Sequence, residues 1–168
     1  MDRLLKKEFA MQRRHFVFMT AAGTPWLASR AWAHHGWSSF DQDRPVYLEG
    51  RVVRSHWRNP HVELVIEVPA TLQVPADLAQ RPVPAQSAPV DGQALLAKAV
   101  VPTRKDREWE LELAPLSRMR AWQVAEIKVG DSLSAVGFTF KEEKGEAILR
   151  VEYLYVDGKA YGLRSSPA

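Results

Sequence analysis

The chain has 168 residues, 46% of them hydrophobic, with 23 Lys/Arg against 20 Asp/Glu and no cysteine. That length suits one domain with appendages, and the lack of thiols excludes disulfides, thiolate catalysis, Cys-based zinc sites and a lipoprotein anchor, but not export. Six basic residues (Arg3, Lys6, Lys7, Arg13, Arg14, Arg30) and two acids (Asp2, Glu8) precede residue 34. The remainder is therefore near neutral, without the cationic surplus that phosphate-backbone binding needs, and nucleic acid is not an expected partner.

Residues 1–33 read as an export signal, with a basic start, a weakly apolar middle and a small-residue exit at Ala31-Trp32-Ala33. Gly23 and Pro25 interrupt the apolar run, which is too short to span a bilayer. Arg13-Arg14, followed by His15, Phe16 and Val17, resembles the twin-arginine signal that carries folded cargo. The competing reading is an ordinary secretory leader containing two arginines, and Met11 is an alternative start. Cleavage after Ala33 leaves residues 34–168 as one periplasmic or secreted domain without a membrane span.

Strand patterning begins at Pro45. Residues 45–57 alternate and are rich in β-branched and aromatic side chains, with Gly50 expected at a bulge or bend. Asn59-Pro60 marks a turn, after which Val62, Leu64, Ile66 and Val68 share one face of a second strand. The two form an expected antiparallel hairpin. Residues 69–106 hold six of the eleven prolines and read as an elongated surface loop inserted between strands two and three. Within it, Leu95 to Val101 is the one stretch expected to add a short strand or helical turn. The third strand puts Trp109, Leu111 and Leu113 inward and Glu108, Glu110 and Glu112 on a solvated outer face. Pro115 opens a short helix with Leu116, Met119 and Trp122 on one side. A Gly130-Asp131 turn starts strand four, residues 146–156 form strand five, and Asp157-Gly158 leads into a short tail. Three strands, a helix and two strands predict an all-β fold with one short helix: a small five-stranded OB-like Greek-key barrel.

With AHHGWSSFD, the segment WRNPH, WELEL and VGDSLSAVGF in this order, residues 33–156 resemble a family of small exported bacterial proteins catalogued only as a domain of unknown function. Gly36-Trp37 replaces the more usual Ser-Phe after the histidines, and the Pro-rich insertion is a departure. The resemblance implies an exported OB-like domain and supplies no activity.

Chemistry centres on four histidines, His34, His35, His56 and His61. After cleavage, His34 offers an α-amine and an imidazole, and the amine, with an unperturbed pKa of about 7.7–8.0, deprotonates readily enough to bind metal. His61 completes a T-shaped nitrogen set suited to Cu(II), with His35 as an alternative third donor and His56 as a substitute. The arrangement resembles the histidine brace of exported copper proteins, matched with certainty only at the N-terminal His. Plainer readings stand beside it: a tag-like His34-His35 end, a His61 that closes the NPH turn by a hydrogen bond, and a solvent-facing His56. Asp41 and Asp43 are either oxygen ligands or parts of an Asx turn before Pro45. No Ser, Thr or Lys occupies a recognisable nucleophile setting, which argues against hydrolysis. A brace also performs oxidative chemistry, so enzyme status stays open at this level. The leading expectation is a periplasmic binding module, holding copper or serving a redox partner. Its rival is a metal-free adaptor that binds a protein or glycan through Trp37, Trp57 and Tyr47.

Overall fold

The structure is a computed structural model and describes residues 36–168. Its strands are β1 (Val46–His56), β2 (Glu63–Glu67), β3 (Glu108–Glu112), β4 (Ser132–Phe138), β5 (Ile148–Val156) and β6 (Lys159–Gly162). β1 pairs antiparallel with both β2 and β4, β2 with β3, and β4 with β5. A parallel β3–β5 pairing closes the ring, with Glu112 opposite Arg150. This is the expected OB-like barrel, and closure leaves none of these five strands as a bare edge.

The alternation read from sequence fills the interior. Val62, Leu64, Ile66, Trp109, Leu111, Leu133, Ala135, Leu149, Val151 and Leu154 are all buried in one cluster. β1 serves two neighbours in succession, meeting β4 through Val46–Arg51 and β2 from Arg51 to His56. Gly50 sits at this handover, where a Cβ would collide with the Glu67 carbonyl. The ladder irregularity itself falls at Val52/Arg54, so Gly50 marks a close backbone approach and the bulge lies just beyond it. The expected helix is α2 (Leu116–Ala121): Met119 is buried, and Leu116 and Trp122 pack against the interior cluster.

The insertion departs from the expected surface loop. It contains a second helix, α1 (Gly92–Lys98), whose first turn is capped by the Asp91 carboxylate accepting from Ala94 N at 3.0 Å. Val100 then bridges to Val46 in parallel, so residues 95–101 supply both helix and strand pairing. Leu78, Leu96 and Ala99 from the insertion pack on Tyr47, Val136 and Tyr153 from the outside of the barrel wall. Proline breaks ladders but does not prevent this kind of apolar docking.

Three further contacts bind the periphery. Phe40 from the lead-in segment (residues 36–45) stacks on Phe140 at 4.8 Å. The Glu143 carboxylate accepts from Thr103 N, Thr103 Oγ1 and Arg104 N at 2.8–3.0 Å, and from Arg44, tying insertion and lead-in to the β4–β5 connection. Asp157 and Gly158, both at positive φ, turn the chain back so that the tail pairs as β6. Among the described residues, no helix is long and apolar enough to cross a membrane.

Candidate functional site

His34 and His35 lie outside the described residues, which begin with the residue that follows them. Gly36 leads into a 3-10 turn, Trp37–Ser39. The Trp37 ring carries the Arg164 guanidinium at 4.1 Å and that of Arg150 at 4.9 Å, with Phe138 edge-on at 6.3 Å. Two arginines thus hold the aromatic side chain immediately downstream of the histidine pair.

Each arginine has its own carboxylate. Arg150 is buried and donates to Glu112, its register partner across the parallel pairing. Burial pushes the Arg150 guanidinium below its ordinary value, against the opposing pull of Glu112. Arg164 Nε donates to Glu152 Oε2 at 2.7 Å, and Gln86 from the insertion donates to Oε1 of the same carboxylate at 2.8 Å. Glu152 is wholly buried, and desolvation raises its pKa against the pull of Arg164 and Gln86. Gly137 permits this crowding, since a Cβ there would strike the Arg150 carbonyl.

Glu112 also faces His61, with 3.3 Å between Oε1 and Nδ1, and both side chains are largely covered. Asn59 Oδ1 accepts from Leu116 N at 3.3 Å, docking the NPH turn on the start of α2. The Asn59-Pro60 peptide is cis. Trp37, Arg150, Glu112 and His61 therefore form one continuous line of contacts across the outside of β3 and β5.

His56 belongs elsewhere. Its side chain is 54% exposed, and its Nδ1 lies 3.8 Å from Glu63, its register partner. Each described histidine thus goes with a different glutamate. Asp41 and Asp43 form the Asx turn: Asp43 N donates to Asp41 Oδ1 at 3.3 Å. Among the described residues, no group of three or more His, Asp or Glu is placed to hold a metal ion.

Two sequence expectations need correction. Glu112 is not part of a solvated acidic row, because it is buried against Arg150, whereas Glu108 stays exposed. Tyr47 is fully buried beneath the insertion, its hydroxyl donating to Glu49 at 2.6 Å and its pKa pushed up to about 12, chiefly by burial. It offers no partner a surface. Sequence reasoning missed Arg150 and Glu152, although two opposite charges inside the otherwise apolar run AILRVEYLYV were a visible sign of buried partners.

Residues 25–74 match the model of a family described as a family of unknown function (DUF6152). The match covers His34, His35, His56 and His61 of the five histidines, the lead-in segment, β1 and β2, and ends inside the insertion, short of the Val156 limit of the motif resemblance. No curated protein matches, and no solved structure matches.

Proposed function

We propose that the chain is exported, cut after Ala33, and used as an OB-type binding module that holds one Cu(II) ion between its new N-terminus and His61. The observation that carries this reading is the line Trp37–Arg150–Glu112–His61. Trp37 holds the start of the described chain on the same charge cluster that faces His61. His34 lies two residues before Gly36, and an extended chain reaches no more than roughly 3.6 Å per residue. In the sequence, His34 stands three residues before Trp37. The donor set, amine plus two imidazoles, draws on nitrogen ligands that favour Cu(II). His35 is the reserve third donor, and His56 is set apart by its pairing with Glu63. In this role the module handles copper or serves a periplasmic redox partner.

The test begins with mass spectrometry of the mature N-terminus from periplasm. Cu(II) titration then compares the processed protein with a form retaining one extra residue before His34. Tight one-to-one binding that is lost on extension, and weakened by His61→Ala, supports the site. Equal, weak binding by both forms favours a metal-free adaptor instead.

A further inference from the structure

Backbone N–H groups that converge on one point, with a guanidinium beside them, make a receptor for an anion whether that anion is tethered or free. We infer that Thr103, Arg104 and Arg44 form a carboxylate-binding site, and that the chain's own Glu143 is its tethered occupant. The site shares no residue with the copper site proposed above.

Four observations carry the inference. The donor set serves both oxygens of one planar group. Glu143 Oε2 accepts from Thr103 N at 2.9 Å, Thr103 Oγ1 at 2.8 Å and Arg104 N at 2.9 Å, while Oε1 accepts from Arg44 Nη1 and, at 3.0 Å, from Thr103 N. The donors are also held by contacts that do not use the Glu143 side chain. The Arg104 guanidinium donates to the backbone carbonyls of Glu143, Gly145 and Glu146, pairs with Asp106 at 2.6 Å and lies 5.5 Å from the centre of the Trp109 ring. Val100 N donates to Pro45 O at 3.0 Å, which fixes the residue after Arg44 to the segment leading into Thr103. The occupant, by contrast, is strained: Glu142 and Glu143 take positive φ in succession, 57° and 54°. Non-glycine residues keep that conformation only where their surroundings impose it. Finally, solvent reaches the rim. The Glu143 side chain is 4% exposed, but that of Arg44 is 35% exposed and Thr103 is an exposed residue.

Burial opposes the charge of Glu143, yet the surrounding donors hold its carboxyl at about 2. The occupant is therefore ionised throughout the neutral range. A free carboxylate must compete with it at the high effective concentration of a tethered group, so the wild-type site is closed to ligands by its own chain. Removing the Glu143 side chain opens the site to a small carboxylate. Propionate is the free equivalent of what is removed.

The test uses the full chain carrying Glu143→Gly, which deletes the carboxylate and suits the positive φ. Sodium propionate is titrated against sodium chloride of equal ionic strength, with ¹H–¹⁵N spectra and urea midpoints as readouts. Propionate alone is expected to shift the Thr103 and Arg104 amide signals saturably and to raise the midpoint towards that of the wild type. Propionamide, of the same shape but uncharged, does neither, and the wild type shows no saturable response to propionate. Adding Arg44→Met to Glu143→Gly weakens propionate binding roughly tenfold or more, as loss of one charge-assisted hydrogen bond requires. If Glu143→Gly does not fold in buffer, Glu143→Ala takes its place with the same expected shifts. Propionate and chloride acting alike on the variant overturns the site, as does a wild type that responds as strongly as the variant.

Discussion

Glu108 and Glu112 open and close the same strand, project to the same outer face, and each meets an arginine from another strand, yet the two pairs differ in kind. Glu108 reaches Arg54 across β2 at 2.9 Å, with both side chains more than half exposed. Glu112 meets Arg150 with both side chains at or below 10% exposure. The chemistry is the same; the covering differs. Trp37 overlies Arg150, and the insertion and tail close over the adjacent Glu152. Where non-local segments cover the wall, ion pairs are committed to one geometry, and where they do not, water screens them.

The largest effect expected from this contrast comes from breaking the covered pair on one side. Arg150→Met strands a buried carboxylate and should cost about 3–5 kcal/mol, read as a lower urea midpoint. The double replacement Glu112→Leu/Arg150→Met should recover most of that loss, because no buried charge is left alone. A double variant as unstable as the single one would mean that the arginine acts through packing on Trp37 rather than through charge.

Next comes the cover itself. Leu96 of α1 is 2% exposed against Tyr47 and Tyr153, and Leu96→Ala should cost about 2–4 kcal/mol. Hydrogen exchange should then rise in residues 78–100 before it rises in β2 and β3. Uniform loss of protection would show the insertion and barrel to be one cooperative unit.

This comparison also explains what was legible in the chain. The inward rows Val62-Leu64-Ile66 and Trp109-Leu111-Leu113 obey a local period of two, so the strands were legible from pattern, and their succession with one helix pointed to the barrel. Outer-face burial follows no local rule. Glu112 and Tyr47 stand at outward positions and are covered by segments distant in sequence, Glu112 beside the lead-in and Tyr47 beneath the insertion. Composition identified the insertion as proline-rich but said nothing about what its Leu78 and Leu96 would cover. Of the candidate site, the histidines were visible as residues, and the approach of His61 to Glu112 was not, because it depends on the β2–β3 register that sets Glu63 opposite Glu112.

Glu143 gives a smaller effect with a pH signature. Burial opposes its charge, but donors from Arg104, Thr103 and Arg44 outweigh it and hold the carboxyl down at about 2, from an ordinary 4.5. A depressed carboxyl stabilises the fold above its unfolded value, and that contribution is lost as pH falls towards the folded one. Glu143→Gln should therefore cost about 2–3 kcal/mol near neutrality and flatten the acid limb of stability between pH 4.5 and 2. An unchanged acid limb would place the loss of stability on other carboxylates.

The smallest effect belongs to the exposed pair. Arg54 and Glu108 hold their 2.9 Å contact at 58% and 54% side-chain exposure. Solvent screens the attraction, and ordering two long side chains offsets much of what is left, so a double-mutant cycle with Arg54→Ala and Glu108→Ala should return about 0.2–1 kcal/mol. That coupling should fade in 1 M salt, where the screening length is about 3 Å. The Arg150–Glu112 coupling should persist in the same salt, because counter-ions do not reach charges under Trp37. If both couplings faded equally with salt, the cover over Arg150 would have to open readily in solution.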